Sequence, residues 1–266
     1  MAEEGDSPNA ASRLDAVRTA KVLNVDCYCG DPLTAADLVI NLATEGAGGY
    51  FCLCNVHVIV AAQRSARVLD ALSSATLVLP DGAPVAWLAR CQGATSARRV
   101  AGPDLMQAVL GRGIGKGLRH FLFGSDSATL VLLRQRIESA GAIVAGSLAP
   151  PFATLDALED TALIDAINST RPHVVWCGLG APKQELWMLR NAARVHPAVV
   201  VGVGAAFDFL GGSKRRAPRW LQGLGLEWLH RLSTEPRRLG PRYLITNSRF
   251  LIQVVNEFTL GRRRTP

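Results

Sequence analysis

Asp81 is a lone carboxylate between Pro80 and Gly82, at the end of the apolar run LVLP. Pro, Asp and Gly all form turns, so the stretch reads first as a corner after a strand. It reads equally as a reactive group at the carboxyl end of a sheet strand, where open α/β sheets bind ligands. Other residues suited to chemistry also follow apolar runs. Asn55 and His57 come just after YFCLC; Asn offers a ligand both donor and acceptor, whereas a His beside an apolar run is more often structural. GLGAPKQELW carries Gly180, Lys183 and Gln184: a lysine able to reach phosphate and an amide able to bond a sugar or base. Its Gly-x-Gly lacks the third glycine of a dinucleotide fingerprint, and a plain strand-to-helix turn with Pro182 in the first helical position is the competing reading. GVGAAFDFLGG places Asp208 after a further glycine-rich strand end.

Several chemistries find no support. GRGIGKG has Gly117 after Lys116 where a phosphate loop needs Ser or Thr, so it reads as a loop. There is no Gly-x-Ser-x-Gly elbow and no His-Glu-x-x-His pair. Cys27/Cys29 and Cys52/Cys54 form two Cys-x-Cys pairs, but structural zinc favours Cys-x2-Cys turns, so buried reduced thiols and no metal are expected.

These residues need a scaffold to gather them. Short apolar runs (VLNVDCYC, YFCLCN, TLVLP, HFLFG, AIVAGSL, HVVWCGLG, AVVVGVGAAF) alternate with amphipathic stretches such as TAADLVINLATE, VIVAAQRSARVLDALSSA, SATLVLLRQRIESA and LDALEDTALIDAINST. That alternation predicts an α/β fold: a Rossmann-like, mainly parallel sheet flanked by helices, over residues 21–212. Three strand ends feed helices at Asp81-Gly82, Gly124-Ser125-Asp126 and Gly180-Ala181-Pro182, where free N–H groups suit an anion. Residues 1–20 open acidic and polar without an apolar h-region, and a disordered tail is expected there. The longest apolar runs fall short of the ~20 residues of a membrane span.

Charge divides the chain. From Lys214 onward twelve basic residues face only Glu227, Glu235 and Glu257, a local +9, while the remainder of a chain of net +7 carries −2. A polyanionic partner follows: phosphates, an anionic membrane surface or nucleic acid. Residues 213–266 form the basic appendage. In it, Trp220, Leu224 and Trp228 recur every four residues, and LITNSRFLIQVVNEFTL is a second amphipathic candidate. Two readings stand: these faces lie on a membrane, or they pack on the main domain.

In this order, CNVH, LPDGAPV, RVAGPDL, HFLFG, GLGAPKQELW, GVGAAFDFLGG and RAPRWLQGLGLEWLHRLSTEPRRLGPRYL resemble the WecG/TagA/CpsF family of bacterial glycosyltransferases, from about Val22 to Phe250. The resemblance implies an inverting transfer of a hexose-type sugar (N-acetylmannosamine, its uronic acid or glucuronic acid) from a UDP-sugar to a polyprenyl-diphosphate-linked saccharide. It implies work at the inner face of the cell membrane, in teichoic acid or other cell-wall and exopolysaccharide synthesis, with no cofactor. By this similarity Asp81 is the catalytic base, and Asn55, Arg99, Gly102, Asp104, Lys183 and Gln184 line the donor pocket. One departure stands out: Leu53 occupies a position where members usually have Thr. Either the donor differs, or Asn55 and His57 compensate, or activity is reduced.

The chemistry is self-consistent. One base suffices for a single inverting displacement, and the leaving diphosphate needs Arg, Lys or helix N-termini where no metal serves. Arg99, Lys183 and the tail arginines Arg215, Arg216, Arg219, Arg231, Arg237, Arg238 and Arg242 are candidates for diphosphate or membrane contact. The partners expected are thus the UDP-sugar, the lipid-diphosphate acceptor, an anionic membrane and a second copy of the chain, not nucleic acid. The rival readings are an NAD(P)-dependent oxidoreductase, from the glycine-ended strands, and a nucleic-acid-binding module using the Arg-rich tail. The second requires exposed aromatics interleaved with the basic residues.

Overall fold

The computed structural model describes residues 10–150 and 161–261. The first departure from expectation is near the start. α1 (Ala10–Asp15) and the beginning of β1 (Thr19–Val22) lie within the stretch expected to be disordered, because Leu14 and Val17 find apolar partners on the main body. Residues 1–9 fall outside the described residues. VLNVDCYC is not one strand either: β1 and β2 (Val25–Tyr28) form an antiparallel hairpin. Leu23 and Asn24 take φ of 47° and 69°, the left-handed pair of a two-residue hairpin turn.

Asp31 caps α2 (Pro32–Glu45) by accepting from the Leu33 N–H at 2.8 Å. Then come β3 (Tyr50–Cys54), α3 (Val56–Ala62), α4 (Ala66–Ser73), β4 (Leu77–Pro80), α5 (Ala83–Cys91), α6 (Gly102–Gly113), β5 (Arg119–Gly124), α7 (Ser127–Ser139), β6 (Ile143–Leu148), α8 (Thr161–Ser169), β7 (Val174–Gly178), α9 (Lys183–Asn191), β8 (Val199–Gly202) and α10 (Ala206–Gly211). VIVAAQRSARVLDALSSA is two helices because Ser65 is extended, and GRGIGKG ends α6 and adds a 3-10 turn instead of a loop.

Strands β3 to β8 make one parallel sheet in the order β4-β3-β8-β7-β5-β6. Side chains alternate across it. Cys52, Cys54, Val175, Cys177 and Val200 pack with α3, α4, α5, α8 and α9. Phe51, Leu53, Trp176, Val199 and Val201 face α2, α6, α7 and α10. The sheet is buried on both faces, as parallel sheets are, and the architecture is the expected Rossmann-like α/β fold. The β3–β4 and β5–β6 connections run to opposite edges, and such a reversal opens a crevice at the strands' carboxyl ends. The four cysteines of the Cys-x-Cys pairs are buried, and burial pushes Cys27 up to about 12; Cys91 is exposed.

The appendage comprises α11 (Arg219–Gly223), α12 (Glu227–Thr234) and α13 (Pro236–Gly261). Trp220, Leu224 and Trp228 do not share one helix: Gly225, at φ 73°, breaks the run, and a Cβ there would lie 2.4 Å from that of Ala83. That contact seats the α11–α12 turn on the start of α5. On α13, Thr246, Phe250 and Val254 recur every four residues and are buried, whereas Leu244, Ile245, Leu251, Ile252 and Val255 stay exposed. One face of α13 packs against α3, as the packing reading expects; the other faces outward. Among the described residues no helix is long and apolar enough to cross a membrane.

Candidate active site

Asp81 prolongs the β3–β4 ladder by one residue, its N–H donating to the Cys54 carbonyl at 2.9 Å. Gly82 then turns the chain at φ 110°, where an L side chain would be strained, and α5 begins at once. This two-residue corner fixes the carboxylate at the sheet's carboxyl edge, with 27% of its side chain exposed. Desolvation raises its pKa; Arg99 opposes that rise and Glu227 adds to it.

Arg99 follows from the loop after α5, where the Val100 N–H bonds the Pro80 carbonyl at 2.9 Å. Its Nε lies 3.9 Å from Asp81 Oδ1, and its Nη2 donates to Glu227 Oε2 at 2.6 Å. The other Glu227 oxygen accepts from Arg216 Nε at 3.1 Å. Arg216 also grips both oxygens of Asp104, one of them from Nη2 at 2.8 Å. Glu227 is thus a bridge from the core's Arg99 to the tail's Arg216. The Arg216 hydrogen bond is the main cause holding Asp104 below its usual range. Burial pushes Glu227 upward, but its bonds to Arg99 and Arg216 outweigh that and leave its pKa lowered. Arg231 joins the group electrostatically and lies over the Phe209 ring at 5.5 Å.

The other expected residues divide. Asn55 borders Gly82, but its Oδ1 caps α3, accepting from the His57 and Val58 N–H groups at 3.0 and 3.3 Å; its Nδ2 donors are the part suited to a ligand. His57 is half-buried beside it. Gly102 is buried for a packing reason: a Cβ would lie 2.9 Å from Leu53 Cδ1 and 3.2 Å from the Val203 carbonyl. Leu53 therefore packs under the start of α6. Gly180 turns at φ 81° with open space at its Cβ position. Pro182 sits just before α9 instead of inside its first turn, and Lys183 opens the helix half-buried.

Gln184 is only 3% exposed. Its side chain lies over the end of β8, where a Gly202 Cβ would meet Nε2 at 3.1 Å and a Gly204 Cβ would meet Oε1 at 3.5 Å. Asp208 pairs with Lys214 at 2.9 Å and so ties the tail to α10. At the Asp126 turn the residue's own carboxylate accepts from the Thr129 N–H and hydroxyl at 2.8 Å each, and so takes one of the helix-start N–H groups that an anion would use. Of the tail arginines, Arg216 and Arg231 reach the Asp81 group. Arg215, Arg219 and Arg237 are exposed, and Arg238 pairs with Glu235 at 2.5 Å. Arg242 lies within α13, with its side chain outside the described residues, as are Arg262, Arg263 and Arg264.

Two acidic residues escaped the sequence reading. Glu227 is one of three carboxylates amid twelve cations, and that isolation was its only local signal. Glu185 is fully buried, accepts from Gln184 Nε2 at 2.9 Å, and is raised by burial to about 7. Its position between Gln184 and Leu186 at the start of an amphipathic helix gave it the look of a solvated first-turn acid. Among the described residues no three His, Cys, Asp or Glu side chains gather as a metal site would need.

Fold and site define a class: a Rossmann-like α/β protein whose sheet edge holds a partly buried carboxylate among arginines. The family model described as "Glycosyl transferase WecG/TagA/CpsF family" matches residues 20–264, and the chain belongs to that family; it is a glycosyltransferase. It is similar to the N-acetylglucosaminyldiphosphoundecaprenol N-acetyl-beta-D-mannosaminyltransferases of Bacillus subtilis (strain 168) and Bacillus spizizenii. Identity is 30% over 207 residues for the first, covering 75% of this chain and 78% of the relative. For the second it is 29% over 196 residues, covering 73% and 74%.

Proposed function

We propose that this glycosyltransferase moves N-acetylmannosamine from its UDP-sugar to an N-acetylglucosamine carried on a polyprenyl diphosphate, with inversion at the transferred carbon. The observation that carries the reading is Asp81, held at the sheet edge 3.9 Å from Arg99. Its raised pKa makes it a stronger base than an ordinary carboxylate. The Asp81 carboxylate takes the proton of the acceptor hydroxyl while that oxygen bonds the anomeric carbon and the bond to UDP breaks. The leaving diphosphate gathers negative charge beside Arg99 and Arg216, whose planar forks suit phosphate oxygens. No metal has a part in this scheme, so turnover should persist in chelator.

Leu53, buried under the start of α6, is apolar where a hydroxyl is usual in the family, so the donor assay spans UDP-N-acetylmannosamine, its uronic acid and UDP-glucuronic acid. The acceptor is a short-chain lipid-diphosphate N-acetylglucosamine. Transfer from the first donor supports the reading, and transfer from another hexose alone corrects the donor. Hydrolysis without transfer to the lipid sugar overturns it. The exposed Trp220, Leu224 and Trp228, with the α13 apolar stripe and the basic tail, support docking on an anionic membrane at its inner face, where such an acceptor resides.

A further inference from the structure

The charges around Asp81 balance. Arg99, Arg216 and Arg231 face Asp81, Asp104 and Glu227, so the group as it stands has no surplus positive charge with which to hold a diphosphate. Yet Arg99 and Arg216 converge on one small anion, each holding a different oxygen of Glu227. Two guanidinium groups on two oxygens of one anion is also how arginines hold phosphate. Glu227's side chain is 9% exposed, and the buried Arg99 Nε has no hydrogen-bond partner on the side facing Asp81. The carboxylate is the first residue of α12, two residues after the left-handed Gly225, and Trp220, Leu224, Trp228 and Leu229 around that joint are exposed. Little apolar burial therefore holds α11 and the start of α12 in place.

We infer that Glu227 is a resident anion occupying the place of a substrate diphosphate between Arg99 and Arg216, and that a bound diphosphate displaces it and frees α12 from the site. The inference rests on the reading above that a diphosphate substrate binds beside Asp81. An incoming diphosphate regains the two guanidinium contacts that Glu227 gives up, so binding and tail release are one exchange. The tail then acts as a latch that opens only on an occupied site.

Calorimetry on the full chain tests this with UDP, inorganic pyrophosphate and a short-chain polyprenyl diphosphate as probes. Glu227→Gln keeps the shape and drops the charge; it should bind UDP about tenfold more tightly than the wild-type protein, a gain of about 1.4 kcal/mol. In the wild-type protein, which needs no variant to fold, UDP should speed amide hydrogen exchange across residues 219–234. Unchanged or weaker UDP binding by E227Q, or slower exchange there on binding, overturns the latch. If UDP binds neither protein but pyrophosphate or the lipid diphosphate still favours E227Q, the latch stands and the nucleotide donor falls. If no diphosphate binds either protein, the latch is wrong.

Discussion

Glu185→Gln should flatten a pH dependence of stability that the wild-type protein carries. Glu185 is fully buried against β3 and β7, with the neutral thiols of Cys52, Cys54 and Cys177 around it and the Gln184 amide as its hydrogen-bond donor. Burial raises its pKa from 4.5 to about 7. The folded state therefore keeps a proton that the unfolded chain releases. Stability from this group is fully present below pH 4.5 and is lost as pH rises through about 7. The span of roughly 2.5 units corresponds to about 3 kcal/mol. The amide of Glu185→Gln cannot ionise, so the variant lacks that loss. Its NH2 would sit where the partnerless Glu185 Oε2 lies, at a constant penalty of about 1–3 kcal/mol. The two proteins should therefore differ in slope, not merely in offset. Urea unfolding at pH 5, 6, 7 and 8 measures it, with the variant gaining about 2–3 kcal/mol on the wild type across that range. Parallel curves would refute the assignment of a protonated glutamic acid under the site.

Asp81→Asn should lower kcat by about 10²–10⁴-fold with UDP affinity nearly unchanged, read by turnover beside calorimetry; near-normal turnover removes Asp81 as base. Because desolvation raises Asp81's pKa, the acidic limb of the wild-type rate profile should lie above the ordinary aspartate range, and a limb below it would contradict the site's polarity. Gly102→Ala should destabilise the fold by about 1–3 kcal/mol through its contact with Leu53, and adding Leu53→Val should recover part of that in thermal melts; no recovery would place the strain at Val203 instead. Replacing Trp220 and Leu224 together by Ser should weaken sedimentation with anionic vesicles severalfold while leaving soluble-acceptor turnover intact, whereas unchanged sedimentation assigns binding to α13.

What the sequence determined by itself was local. Apolar runs with helical stretches between them specify strands and crossovers, and Pro80-Asp81-Gly82 specifies a corner, because periodicity and turn chemistry act within a few residues. The hairpin at Leu23-Asn24 and the break at Gly225 went unread: the first uses a turn pair with no glycine, and the second interrupts an otherwise helical spacing. The tertiary structure decided everything that joins distant residues. Glu227 reaches Arg99 across 128 positions, and Gly102 meets Leu53 and Val203 at the sheet's edge. Gln184 and Glu185 turn inward over β8 despite heading a polar helix start. Ion pairing and close packing depend on distance in space, and no spacing along the chain encodes them. Asp81 was therefore legible as a corner from its neighbours, and as part of a charged site only once the fold had brought Arg99, Arg216 and Glu227 to it.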